Sequence, residues 1–277
     1  MAITIDKNHL LQGENVVHLL TTKNVSAFTQ GMPDSLVIHY TAGRDAESSA
    51  RHLQQSNVKA SAHIVIGRNG EIYQIVPFNT IAWHAGESSY GGRAHFNNLS
   101  IGIELDNAGE LTKTGNEYIS WFGKKYLSNE AIQAIHRNET IAKYWHIYTE
   151  KQLLVNEEIT QLIMRHYPSI THVLGHEEIS PGRKQDPGPA FPLDRFRRRL
   201  LGDNRDDQLA GIEVLPTEGF VVPNKLNIRA GAGSAFDKVA KPLASGQQVK
   251  ILAEENGWYK VKTEIEGWVS KGFIEAK

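Results

Sequence analysis

The chain contains no cysteine. That absence excludes disulfide frameworks, thiolate zinc fingers and cysteine nucleophiles, so any metal site has to use His, Asp or Glu. An excess of one charge is missing too: the formal net charge is -1, which argues against a broad electrostatic footprint for nucleic acid or an anionic membrane surface. No stretch approaches the ~20 consecutive apolar residues that span a bilayer. The opening segment, MAITIDKNHLLQGENVVHLL, lacks a basic stretch followed by a long apolar run, so the expectation is synthesis without a Sec signal. What remains is 277 residues, 40% hydrophobic, enough to bury one large core and a small one.

Runs rich in β-branched residues predict strands at LVIHY (36–40), AHIVIG (62–67), EIYQIV (71–76), SIGIEL (100–105) and ITHVLG (170–175). Arg68-Asn69-Gly70 separates the second from the third, and Asn-Gly tolerates the positive φ of a tight hairpin, so those two are expected to be antiparallel neighbours. Thr149 with Gln152 three residues on fits a capping box, opening a helix that stops at Pro168, and a shorter helix is expected from about Asp45 to Gln55. The segment from Gly109 to Tyr148 gives no clean period and is expected to be a long excursion, part hairpin and part helix, beside the cleft. These features divide the chain into a large domain over 1–200, a polar, turn-rich linker over 201–218, and a small all-β barrel over 219–277.

The chemistry concentrates in GHEEISPGRKQDPGPAF (175–191), where three prolines and three glycines hold a histidine, a lysine and an aspartate. A fixed imidazole with a fixed carboxylate suits a metal, so His176 and Asp186 are candidate ligands. Asp186 precedes Pro187, which favours extended backbone, so Lys184 is expected on the same face as a cation beside the metal. Catalytic zinc usually takes three protein groups, and His39, near the end of the apolar strand in LVIHYTAG and just before its Thr-Ala-Gly turn, is the best third candidate. A lone strand histidine is ordinarily a buried one satisfied by a carbonyl; with His176 and Asp186 in the same chain the ligand reading is preferred. Glu104 is an acid inside an apolar strand, where an unpaired carboxylate costs several kcal/mol. It is the candidate general base, taking a proton from water and passing it to a leaving nitrogen, with Lys184 stabilising an oxyanion. A structural salt bridge is the competing account of Glu104, and an exposed surface position that of Lys184. His84, beside Trp83 in IAWHAGES, sits in a turn suited to sugar or peptide binding, and His63 is expected to support the sheet.

LVIHYTAG, SAHIVIGRNGEIYQIVPFNTIAWHAG, NNLSIGIEL and THVLGHEEISPGRKQDPGPAF together resemble the zinc-dependent N-acetylmuramoyl-L-alanine amidases of the amidase_2 type, over roughly 36–108 and 148–198. The resemblance implies an α/β fold, a mixed central β-sheet flanked by helices. It also implies hydrolysis of the amide between N-acetylmuramic acid and the L-alanine of the stem peptide. Carried over by position, it gives His39, His176 and Asp186 as ligands of Zn2+, Glu104 as acid/base and Lys184 as oxyanion partner. In GGRAHFNN the compact members that recycle wall fragments offer an arginine toward the substrate where His95 stands here. Arg93 is the side chain expected to replace it, with Trp83 and His84 as further substrate contacts. The alternative class is a module that binds peptidoglycan without cutting it; loss of a ligand would mark that state, and every ligand and catalytic partner is present.

LNIRAGAG, NGWYKVK and EGWVSKGFIE resemble a bacterial SH3-type domain, which implies wall-peptide binding or packing on the catalytic domain. Trp258, Tyr259 and Trp268 could line a groove there, but in so small a barrel most are expected in its core. The expected partners are peptidoglycan or muropeptides, with no nucleic acid and no membrane span, acting as a monomer. The expected location is the cytoplasm at synthesis, with access to the wall by a non-Sec route or lysis.

Overall fold

Residues 3–28, 33–202, 216–223, 225–255 and 258–264 are described in a computed structural model. The frame is a six-stranded mixed sheet. Its strands in chain order are β1 (Val16–His18), β2 (Ser35–Tyr40), β3 (Ile64–Ile66), β4 (Ile72–Gln74) and β5 (Ser100–Leu105), completed further on by a strand at His172–Gly175. That last strand pairs with β2, β2 with β5 and β5 with β3, all in parallel, whereas β3 and β4 are antiparallel. The antiparallel pair is the hairpin expected at Arg68-Asn69-Gly70; Gly70 takes φ +85° and Gly67 N–H closes the turn on Glu71 O at 2.8 Å.

Both faces of this sheet are covered, which is why its strands appear in sequence as nearly unbroken apolar runs. Leu36, Ile38, Ile101 and Ile103 face a core completed by Val155, Ile159 and Ile163 of one helix and by Leu193 and Phe196 of another. These are α2 (Glu150–His166) and α4 (Leu193–Leu201). Val37 and Leu174 point the other way, against Ala85, Phe96 and Ile179, and Val65 packs there with Ala46 and Ala50 of α1 (Ala46–Gln54). Because side chains alternate along a strand, His39 and Glu104 fall on this second face. The Thr149 cap forms, its hydroxyl accepting from Gln152 N–H at 3.1 Å, but the Gln152 side chain donates to Ile66 O and Asp106 O and does not return to Thr149. Asp45 caps α1, accepting from Ser48 N–H at 2.7 Å, each cap contributing about 1 kcal/mol.

The excursion is a sheet, not a mixture of hairpin and helix. It holds five antiparallel strands, β6 (Glu110–Thr114), β7 (Glu117–Ile119), β8 (Lys125–Tyr126), β9 (Ala131–Ile135) and β10 (Ala142–His146), in the order β8-β7-β6-β10-β9. Its described helical content is one 3₁₀ turn, Ser128–Glu130. Expecting an α-helix failed because the aromatics of this segment follow no helical period: Phe122, Tyr118, Tyr126 and Tyr144 pack around Ala108 and Leu111, Trp145 enters the main core, and Trp121 is exposed.

The last strand of the central sheet is β11 (His172–Gly175), and it runs directly into a short helix, α3 (His176–Ile179). His176 therefore opens a helical turn and does not end the strand. Lys184 N–H bonds back to Ser180 O at 3.0 Å, which closes the turn that leads from α3 into the loop carrying Asp186.

The C-terminal region contributes a three-stranded sheet of Glu218–Phe220, Gln248–Glu255 and Trp258–Lys262, closed over Val221, Leu243 and Val249. The small core is aliphatic. Trp258 and Tyr259 are only half-buried, contrary to the expected core role, and the Arg195 guanidinium of α4 lies 5.1 Å from the Tyr259 ring centroid. Asn227 N–H donates to the Glu150 carboxylate of α2 at 3.0 Å, so this region packs on the large domain. Trp268 and residues 203–215 of the expected linker lie outside the described residues. No helix among the described residues is long and apolar enough to cross a membrane.

Candidate metal centre

Three parallel strands end together and deliver the centre. His39 lies near the C-terminal end of β2, Glu104 stands beside it in register on β5, and β11 hands over to His176. Open α/β sheets hold ligands beyond the carboxyl ends of their strands. Asp186 is brought back to the same point by a bond from Glu177 N–H to the Asp186 carbonyl at 2.7 Å.

His39 Nδ1, His176 Nδ1 and Asp186 Oδ2 converge, with separations of 2.8, 2.9 and 2.9 Å. The three residues are 1%, 2% and 7% exposed, and they form a group able to hold a metal ion. The surrounding bonds assign the tautomers of the neutral rings. A carbonyl can only accept, so His176 Nε2–H donates to Ala85 O at 3.0 Å and His84 Nε2–H to Ser100 O at 3.3 Å. His84 Nδ1 is then an acceptor, and His39 Nε2–H donates to it at 2.9 Å. Both Nδ1 lone pairs consequently face the Asp186 carboxylate.

Such a trio requires a cation among its members. A proton on His39 is disfavoured, because burial, with His176 close by, holds this imidazole down at about 4. His84 is driven well below its ordinary value by burial and by His39. Burial pushes Asp186 upward, but His176 and His39 outweigh it and keep the carboxyl below the usual carboxylate range. Neutral imidazoles and an ionised carboxylate are the forms that bind a divalent metal, and outer hydrogen bonds of this kind orient such ligands. The donor set fits.

Gly102 makes this arrangement possible. A Cβ at this position would lie 2.4 Å from His84 Cγ, so only glycine lets the His84 ring pack over β5 and reach His39. His63 supports the same strand, accepting from Gly102 N–H at 2.9 Å and donating through Nε2 to Thr80 O at 2.9 Å.

The centre lies in a cleft of about 560 Å³, lined by His39, Glu104, His176, Lys184 and Asp186 among others. Glu104 Oε2 is buried without a hydrogen-bond partner, so the salt-bridge account fails for it. Burial, reinforced by Asp186 and opposed by Lys184, raises its carboxyl well above the ordinary range.

The three expected substrate contacts lie elsewhere or do something else. His84 does line the cleft, but it is 8% exposed with both ring nitrogens committed inside the protein, where it supports His39. Arg93 is held by Asp34 through bonds of 2.6 and 2.8 Å and lies over Phe96. Trp83 is 46% exposed, and neither it nor Arg93 lines the cleft. Sequence reasoning in turn missed His136, Asn138 and Glu139, which line the cleft from the excursion. The available signal was a histidine and an acid bracketing Arg137-Asn138 in an otherwise unpatterned segment.

Residues 29–189 match the family described as Amidase_2, N-acetylmuramoyl-L-alanine amidase, and residues 224–275 match a bacterial SH3 domain. Among curated relatives, the 1,6-anhydro-N-acetylmuramyl-L-alanine amidase AmpD of Salmonella typhimurium is 34% identical over 159 residues, covering 57% of this chain and 66% of that protein. The N-acetylmuramoyl-L-alanine amidase AmiD of Escherichia coli is 34% identical over 180 residues, covering 62% of this chain and 55% of AmiD. The matched stretch thus spans just under two thirds of the first relative and about half of the second. A solved complex of AmiD from E. coli with anhydro-N-acetylmuramic acid-L-Ala-D-gamma-Glu-L-Lys has 30% identity and a TM-score of 0.45, covering 62% of this chain and 59% of that one. With more than half of its length matched, the chain belongs to the Amidase_2 family of N-acetylmuramoyl-L-alanine amidases.

Proposed function

We propose that this protein is a zinc-dependent hydrolase of the amide between N-acetylmuramic acid and L-alanine in peptidoglycan or its soluble fragments. The observation that carries the reading is the convergence of His39, His176 and Asp186 beside Glu104, whose Oε2 has no hydrogen-bond partner. Zinc held by those three side chains supplies Lewis acidity and makes water a competent nucleophile near neutral pH. Glu104 takes the proton from the attacking water and returns it to the departing nitrogen of L-alanine, so that an amine leaves in place of an amide anion. Its raised pKa suits both halves of that task. Lys184, which lines the same cleft, places an ammonium where the scissile carbonyl oxygen gains charge. The amidase names of the relatives support this choice of bond.

The test is mass spectrometry of purified peptidoglycan and of an anhydro-muropeptide after incubation with zinc-loaded protein, with Glu104→Gln as control. Free stem peptides from the wild type are expected, with the variant slower by about 10²–10⁴-fold. The substrate consumed distinguishes wall cleavage from fragment recycling. Intact substrates, bound but not cut, would mean a recognition protein.

A further inference from the structure

The excursion reaches the ligand-bearing loop through Tyr148, whose Oη donates to Pro187 O at 2.8 Å, and through the turn that follows β9. His136 there is 1% exposed, and its Nε2 lies 2.6 Å from Glu177 Oε2 and 3.1 Å from Gln185 O. Its Nδ1 accepts from Asn138 N–H at 3.2 Å, so a neutral ring with its proton on Nε2 satisfies every contact. Glu177 directly follows the candidate ligand His176, and Gln185 directly precedes the candidate ligand Asp186. Two further bonds tie the same residues to the same turn: Asn138 Nδ2 donates to Glu177 O at 2.9 Å, and Gln185 Nε2 to Glu139 Oε1 at 2.6 Å. Glu177 Oε2 also accepts from Gly188 N–H at 3.2 Å, which draws in the far side of the loop. The ring is itself fixed, stacked on Trp145 of β10 with centroids 5.5 Å apart.

We propose that His136 is a positioning residue: through Glu177 and Gln185 it holds His176 and Asp186 at the spacing a metal requires, so the excursion serves as a buttress of the centre. The inference rests on the metal-site reading of His39, His176 and Asp186. It follows from connectivity: two backbone segments that must stay within hydrogen-bonding distance are bridged by one buried donor from a third. Without that donor the Glu177 carboxylate is left buried with one partner fewer, and the segment carrying Lys184 and Asp186 loses one of its ties to the excursion, others being Gln185 to Glu139 and Tyr148 to Pro187.

The experiment compares His136→Phe, which keeps a ring against Trp145 and removes both bonds, with His136→Gln, whose amide can still donate. Zinc affinity is read by competition with a chromophoric chelator, and ligand geometry by the visible spectrum of the cobalt(II)-loaded protein. The Phe variant is expected to bind zinc about 10–100-fold more weakly, the range seen when partners outside the ligand set are lost. Its cobalt spectrum should be altered, and Gln should recover most of the affinity. Should the Phe variant fail to fold, the exposed Asn138→Ala decides, with a smaller loss in the same direction. Affinities within twofold of wild type with an unchanged spectrum overturn the proposal. So does a loss that Gln fails to recover, because it would assign the effect to packing. Wild-type protein that binds neither metal sinks the metal-site reading as well, which separates the two failures.

Discussion

The central sheet and the inserted sheet meet at one cleft, yet they are built on opposite terms. The central sheet is covered on both faces by helices and loops, and its strands put fully buried aliphatic side chains on each. The inserted sheet leaves Ile135 and Trp121 largely in solvent, 56% and 77% exposed, and keeps only Ala108, Leu111 and Tyr126 in its own buried cluster. In the proposed mechanism His39 and Glu104 come from the rigid sheet, His176, Lys184 and Asp186 from the helix and loop that follow its last strand, and the lighter sheet supplies supports. Chemistry that depends on sub-ångström placement belongs on the element with less freedom to move.

The contrast can be pressed hardest through pH. If Glu104 of the central sheet is the base, it must be ionised to act, and burial together with Asp186 raises its pKa above the ordinary 4.5. The value of kcat/KM should then fall by about tenfold per unit as the pH drops below that raised value, and a profile that stays flat down to about pH 4 would sink the assignment. The fall should disappear from the residual rate of the Glu104→Gln variant.

Paired glycine substitutions sharpen the comparison in stability. Gly102→Ala forces a methyl against His84 Cγ inside the central sheet, with an expected cost of about 1–3 kcal/mol and weaker metal binding, because His84 can no longer support His39. Gly115→Ala, in the β6–β7 turn, meets no atom within 4 Å but sits at φ +61°. It should cost about 1–2 kcal/mol from the backbone alone and leave metal affinity untouched. Denaturant titration and metal competition on both variants separate these outcomes; equal loss of metal binding would erase the distinction between the sheets.

The smallest effect is expected behind the central sheet. Thr160 of α2 buries Oγ1 without a partner, so Thr160→Val should raise stability by about 1 kcal/mol by removing an unsatisfied group at nearly constant volume. A fall in the unfolding midpoint would reveal a partner for that hydroxyl.

What was legible in the sequence divides along the same line. SIGIEL marks β5 to the residue, and Asp45 and Thr149 mark their helices, because period and capping are local properties. His39, His176 and Asp186 could be singled out by a stiff loop and by resemblance to a family. Nothing local reveals that His84 lies against His39: that contact spans 45 positions and depends on the missing side chain of Gly102. The His136 bridge to Glu177 spans 41 positions, and the strands around it carry too little burial to print a pattern. Arg93 misled for a related reason, since its distant partner Asp34 gives no sign of itself in GGRAHFNN.

The register that sets Glu104 beside His39 also has a consequence for how the protein comes into being. His39 and Asp186 are 147 positions apart, and parallel pairing returns nothing until the intervening chain has closed into a loop at an entropic cost. No fragment that stops short of Gly175–Phe191 can own the centre. If the centre holds zinc as proposed, a growing polypeptide has nowhere to capture it until nearly all of the large domain has been made, after which an ion that binds only the finished form would act as a latch on it.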